Sequence, residues 1–221
     1  MDRILAAALA LCTSICHEGA FAADPLRICA LGDSYTIGEG VAADQRWPIQ
    51  LAAALRAGGI AVAEPTMIAR TGWTAGDLLA AIERDYPAAG DLVTLQIGVN
   101  DQFRGRGIDA FAPDFAAVLV RALALAGTPD RLLVLSIPDW GVTPFATGQD
   151  RAAIAAQIDA FNACARTRVV AAGARWIDVT TISREAARDR TLIAADGLHP
   201  SATMYARWVA LLLAEGVGRA R

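Results

Sequence analysis

An acid and a base stand one turn apart near the end of the chain, in Asp196-Gly197-Leu198-His199-Pro200. Imidazole titrates near neutrality, so it can take a proton from a hydroxyl and return it to a leaving group. The chain has two histidines, and His17 falls in a segment that reads as an export signal, which leaves His199 as the natural base. Such a base needs a nucleophile. The leading candidate is Ser34 in Leu31-Gly32-Asp33-Ser34-Tyr35, directly after an apolar run.

These three residues divide the labour of acyl transfer. Ser34 attacks, His199 accepts its proton and later protonates the leaving alcohol, and Asp196 holds the other ring nitrogen and stabilises the imidazolium. The oxyanion that develops needs donors. Gly72, in Arg70-Thr71-Gly72-Trp73-Thr74, lets a backbone N–H approach with no side chain in the way. Asn100, in Gly98-Val99-Asn100-Asp101, offers an amide, and the N–H of Ser34 is a third donor. Taken singly, each residue has a plainer reading: Ser34 as a turn or N-cap serine, His199 as a cap before a helix, Asn100 and Gly72 as turn residues. The combined pattern reverses that default. Asp33 and Asp101 read as loop braces bonded to backbone N–H groups. Trp73, Trp140 and Phe145 are candidates for a substrate pocket or for plain packing. For Arg104 and Arg106, in a glycine-bearing segment after Asn100, a solvated loop is a simpler role than capture of an anionic substrate.

Composition removes several chemistries. All 20 basic residues are arginine. Without lysine there is no Schiff base, no phosphate-loop lysine and no serine-lysine dyad, and arginine stays protonated near pH 7. Beyond the N-terminal segment two cysteines remain, Cys29 and Cys164, each in an apolar stretch that favours free buried thiols over a disulfide. With one histidine they have no zinc-like spacing, so no metal is expected. The net charge is −3 and no long charge run stands out, so neither nucleic acid nor an anionic membrane is an expected partner.

The elements that must carry these residues are legible as alternation. Short apolar, β-rich runs at 26–31, 60–68, 92–97, 131–137 and 175–179 alternate with longer alanine- and leucine-rich runs at 47–57, 74–85, 108–126, 152–172, 182–188 and 202–215. Continuous apolar strands belong to a parallel sheet buried on both faces. The reading is an α/β protein, a three-layer α/β/α sandwich over one domain. Pro65 marks the second strand as an edge, Thr74 and Asp77 make a capping-box-like start, and Pro113 is expected to split or delay its helix. In open parallel sheets the functional loops lie beyond the carboxyl ends of the strands. Ser34, Gly72 and Asn100 follow the first, second and third strands, so all three should share one rim.

The first residues read as a secretory signal. Arg3, an apolar stretch over 4–16 and Ala20-Phe21-Ala22 fit cleavage before Ala23. Residues 1–22 are thus expected to be removed, leaving a periplasmic or secreted domain over 23–221 with no segment able to span a bilayer.

Four ordered blocks, Gly32-Asp33-Ser34, Gly72, Gly98-Val99-Asn100-Asp101 and Asp196-Gly197-Leu198-His199-Pro200, resemble the SGNH hydrolases, also called the GDSL esterase/lipase superfamily. The resemblance implies a flavodoxin-like fold with a five-stranded parallel sheet. It also implies Ser34, Asp196 and His199 as the catalytic triad, an oxyanion hole of Ser34, Gly72 and Asn100, and no cofactor. Tyr35 stands where that family commonly has leucine. The Gly-x-Ser-x-Gly elbow of the ordinary α/β-hydrolases is absent. The implied activity is a serine esterase acting on a small-molecule, lipid or acylated-sugar ester. A carbohydrate O-acetyl esterase, a thioesterase or a lysophospholipase would use the same machinery, and a non-catalytic ligand-binding module is the reading from a different class.

Overall fold

A computed structural model of the protein describes residues 24–217. The expected signal segment and its cleavage point before Ala23 lie outside the described residues. Five strands, β1 (Ile28–Gly32), β2 (Thr66–Ala69), β3 (Leu92–Gln96), β4 (Leu132–Leu135) and β5 (Arg175–Ile177), form one parallel sheet in the order β2-β1-β3-β4-β5. Every residue of β1, β3 and β4 is buried, which is why these runs are apolar without alternation. The edge strands β2 and β5 keep exposed or half-buried positions.

Eight α-helices accompany the sheet among the described residues: α1 (Ser34–Ile37), α2 (Trp47–Ala57), α3 (Ala75–Asp85), α4 (Val99–Phe103), α5 (Ile108–Ala126), α6 (Arg151–Ala171), α7 (Thr180–Arg184) and α8 (Ala202–Ala214). Parallel crossovers are right-handed. The β1–α2–β2 unit runs one way along the sheet and the units containing α3, α5 and α6 run the other, so α2 covers one face and those three cover the opposite face. The packing agrees, α2 lying against α8 and α5 against both α3 and α6. The result is the three-layer flavodoxin-like sandwich. Its topological switch point lies between the carboxyl ends of β1 and β3, from which α1 and α4 emerge.

Several elements differ from their sequence reading for identifiable reasons. The run 60–68 is interrupted: residues 61–63 bond to Leu26, and the ladder resumes only after Pro65, which has no N–H to donate. Pro113 does not split α5. It lies exposed in the second helical turn and forfeits one bond, to the carbonyl of Asp109, which is itself exposed and can be hydrated. The helix expected over 182–188 begins at Thr180, because Asp178 Oδ1 accepts from Thr180 N (3.0 Å) and Thr181 N (3.3 Å). It tightens to a 3-10 turn over Glu185–Ala187. Cys29 and Cys164 are both free, Cys29 buried and Cys164 half-buried. Burial pushes the Cys29 thiol up to about 11, which makes it inert at neutral pH.

Candidate active site

The site begins where β1 ends. A Cβ on Gly32 would lie 2.1 Å from Thr36 Oγ1 and 2.5 Å from the Gln96 carbonyl, so only glycine allows the chain to turn there against β3. Asp33 caps α1 by accepting from Tyr35 N at 3.0 Å. Ser34 is therefore the first helical residue, its N–H without a partner inside the helix. Asp33 is buried, and that burial, opposed by the Tyr35 N–H bond and reinforced by the charge of Asp101, raises its carboxyl to about 7.

His199 arrives from a loop built on Asp196. Asp196 Oδ1 accepts from Leu198 N (2.9 Å) and His199 N (3.0 Å), a side-chain-closed turn, while Oδ2 lies 2.7 Å from His199 Nδ1. One carboxylate thus shapes the loop and holds the ring. His199 Nε2 lies 2.9 Å from Ser34 Oγ, and the Tyr35 ring and the imidazole pack edge to face with centroids 5.4 Å apart. Burial alone would raise the Asp196 carboxyl, but the bonds from Leu198, from the His199 ring and from the His199 N–H outweigh it, and its pKa lies below the ordinary value. An ionised Asp196 fixes the proton on Nδ1 and leaves Nε2 as an acceptor facing the Ser34 hydroxyl.

Gly72 and Asn100 face the same place. Residues 70–73 form a β-turn closed by Trp73 N donating to Arg70 O at 3.2 Å, with Gly72 at φ +86°, the left-handed conformation a type II turn requires at its third position. Asn100, on α4, donates one amide hydrogen to Trp73 O at 2.9 Å, which leaves the second available. Asp101 accepts from Ala75 N at 2.9 Å and pairs with Arg106 at 3.1 Å, and Asp33 likewise braces its own turn. Ser34, Gly72, Asn100 and His199 line one cavity of about 150 Å³.

The apolar wall of that cavity differs in part from the sequence reading. Trp140 and Phe145 line it, but Trp73 does not; it packs half-buried against the core and contributes its carbonyl to Asn100. In its place stands Phe103, whose ring lies 5.3 Å from Trp140 and 6.0 Å from Phe145. Phe103 went unrecognised because α4 is too short to show periodicity, although it follows Asn100 by only three residues. Trp140 is held by its indole N–H, which donates to Gln102 Oε1 at 2.8 Å. A larger cleft, about 1160 Å³, is lined by residues at the amino ends of the strands, among them Arg27, Arg131 and Arg175, and among the described residues its wall has no hydroxyl, thiol or imidazole. Among the described residues no group of three or more His, Cys, Asp or Glu side chains is placed to hold a metal ion.

Residues 30–207 match the model of the GDSL-like lipase/acylhydrolase family. No curated protein matches the chain in sequence. Among solved structures, a member of the lipolytic G-D-S-L family from Veillonella parvula is 21% identical with a TM-score of 0.66, covering 85% of this chain and 96% of that one. An acetylxylan esterase from Geobacillus stearothermophilus is 16% identical with a TM-score of 0.67, covering 86% of this chain and 93% of that one. The psychrotrophic esterase EstA from Pseudoalteromonas sp., in a structure inhibited by monoethylphosphonate, is 17% identical with a TM-score of 0.62, covering 87% and 97%. At these identities the likeness is one of fold.

Proposed function

Because the chain belongs to the GDSL-like lipase/acylhydrolase family and is an ester-hydrolysing enzyme, we propose that Ser34, His199 and Asp196 hydrolyse short-chain carboxylic esters through an acyl-enzyme. The observation that carries this reading is the continuous line from Ser34 Oγ to His199 Nε2 (2.9 Å) and from His199 Nδ1 to Asp196 Oδ2 (2.7 Å), with Ser34 and His199 in the wall of a cavity.

Ser34 Oγ attacks the carbonyl carbon as its proton passes to His199 Nε2. The carbonyl oxygen becomes an oxyanion, for which the N–H groups of Ser34 and Gly72 and the free amide hydrogen of Asn100 are the donors. Losing one such donor typically costs about 10²–10³ in turnover. The tetrahedral adduct collapses, the C–O bond to the alcohol breaks, and the departing oxygen takes the proton from Nε2. Water, deprotonated by the same nitrogen, then releases the acid and restores Ser34. Asp196 stays ionised throughout, as its lowered pKa favours.

Cavity size and lining point to the substrate. Pockets that enclose drug-sized ligands run to about 300–1,000 Å³. One of about 150 Å³ walled by Phe103, Trp140 and Phe145 suits a short acyl group, with longer chains left outside. A carbohydrate O-acetyl esterase is the second reading, favoured by Phe103 (51% exposed) and Phe145 (44% exposed) at the mouth, which offer flat apolar faces to a sugar ring. The export signal read over residues 1–22 would place the enzyme outside the cytoplasm, with Ala23 as its first residue on N-terminal sequencing.

A p-nitrophenyl ester panel tests the reading. Activity should peak at acetyl to butyryl esters and vanish in Ser34→Ala, and a fluorophosphonate should label Ser34 covalently. Folded protein that resists labelling would indicate a ligand-binding module instead. Acetate release from acetylated xylo-oligosaccharides at a higher kcat/KM than from p-nitrophenyl acetate would favour the carbohydrate reading.

A further inference from the structure

We propose that Arg104 is a positioning residue that, by holding the Gly72 carbonyl, fixes the torsions of Gly72 and so the direction of its N–H into the cavity lined by Ser34; this rests on the reading of Gly72 N–H as an oxyanion donor. Arg104 caps the carboxyl end of α4, its backbone N–H donating to Asn100 O at 3.1 Å. Residues four apart project from the same helix face. Asn100 and Arg104 accordingly reach the same turn: Asn100 Nδ2 bonds Trp73 O at 2.9 Å, and Arg104 Nη2 bonds Gly72 O at 2.6 Å. Between them Asp101 takes Ala75 N at 2.9 Å. Three side chains of one short helical stretch thus grip the chain at 72, 73 and 75.

The turn needs this grip. It follows β2, a four-residue edge strand with no buried position, and its own residues are exposed or half-buried. Gly72 has no side chain to restrain it, and glycine is the residue with the widest choice of φ and ψ. Thr71 Oγ1 bonds Glu39, which anchors the preceding residue but leaves the Gly72 carbonyl to Arg104. The Trp73 N–H bond to Arg70 O ties one side of the Gly72–Trp73 peptide, and the charge-assisted bond from Arg104 ties its carbonyl on the other, which together hold the torsions about Gly72 and with them the direction of its N–H. The guanidinium is drawn to the turn on two sides: Nη2 is on Gly72 O, and Nη1 lies 3.8 Å from the Asp77 carboxylate. These contacts direct it at the turn that carries Gly72.

Arg104→Ala and Arg104→Lys, assayed beside the unaltered enzyme on p-nitrophenyl acetate and on the negatively charged mono-p-nitrophenyl succinate, test the assignment. Misdirecting a donor without removing it should lower kcat about 10–100-fold in Arg104→Ala, with KM little changed. Fluorophosphonate labelling should slow in parallel, while the pH profile and the melting temperature stay where they were, since His199 and the core are untouched. Arg104→Lys, able to place one donor on Gly72 O, should recover much of the loss. A kcat within about twofold of the unaltered enzyme would overturn the proposal. So would a loss confined to KM for negatively charged esters, which would make Arg104 a substrate contact, or a loss that tracks a fall in melting temperature. Asn100→Ala separates the two levels of argument: if it loses turnover while Arg104→Ala does not, only Arg104 is misassigned. Full turnover in Asn100→Ala would strike Asn100 from the oxyanion donors and show that the turn holds Gly72 without the grip of α4, which would overturn the proposal too.

Discussion

Replacing Asp196 with asparagine separates its two jobs. In the native loop Oδ1 accepts from the Leu198 and His199 N–H groups at 2.9 and 3.0 Å, and Oδ2 faces His199 Nδ1 at 2.7 Å. An asparagine keeps the loop only by placing its oxygen at the Oδ1 position, which turns its NH₂ toward Nδ1. A donor there forces Nδ1 to become the acceptor and moves the ring proton to Nε2, where it meets Ser34 Oγ, 2.9 Å away, as a donor. The hydroxyl then has no base. For a fully buried triad this inversion costs about 10⁴ in kcat, or roughly 5 kcal/mol of barrier. The Asp196 side chain is 34% exposed, so water can compete for Nδ1, and a loss of about 10³–10⁴ is expected. The assay is kcat on a short-chain p-nitrophenyl ester, read beside thermal unfolding. Asp196→Asn should melt close to the unaltered protein. Asp196→Ala, which also surrenders the two main-chain bonds, should lose about 1–3 kcal/mol of stability. Turnover of Asp196→Asn within tenfold of the unaltered enzyme would refute the tautomer argument.

Two further outcomes follow from the ground beneath Ser34. Asp33 has a carboxyl raised to about 7 by burial, so the folded state holds a proton that the unfolded chain releases near pH 4, and stability falls as pH rises from about 4 to 7. Asp33→Asn keeps the acceptor for Tyr35 N and removes the ionisable group. Its unfolding free energy should equal or trail that of the unaltered protein at pH 4 and gain steadily up to pH 7, by on the order of 4 kcal/mol; a difference in urea stability that does not vary with pH would contradict the burial argument. Gly32→Ala puts a Cβ 2.5 Å from the Gln96 carbonyl of the central strand β3, and overpacking of that kind costs about 1–3 kcal/mol or more. Calorimetry should show a melting temperature lower by several degrees, and Thr36→Ala should not restore it, because the carbonyl remains. An unchanged melting temperature in Gly32→Ala would show that β1 and β3 can separate freely.

The parts of this protein visible in the sequence are those written over short distances. Buried parallel strands demand unbroken apolar runs, so β1, β3 and β4 could be read, and with them the fold class. Ser34, Gly72 and Asn100 follow consecutive strands, so the doubly-wound rule already assigned them to one rim. The Asp196 turn is local as well, closing within three residues. Interruptions governed by a single side chain were harder. Pro113 looked like a break but falls where an exposed carbonyl tolerates the missing bond, and Asp178 starts α7 two residues early. The tertiary structure alone decided what meets across the chain: Ser34 and His199 touch over a separation of 165 residues, Phe103 supplies the wall assigned to Trp73, and Arg104 closes on Gly72. Periodicity records which face of an element is buried. It does not record which distant side chain is packed against that face, because this is settled by how whole elements stack and by whether each donor finds its acceptor once they have.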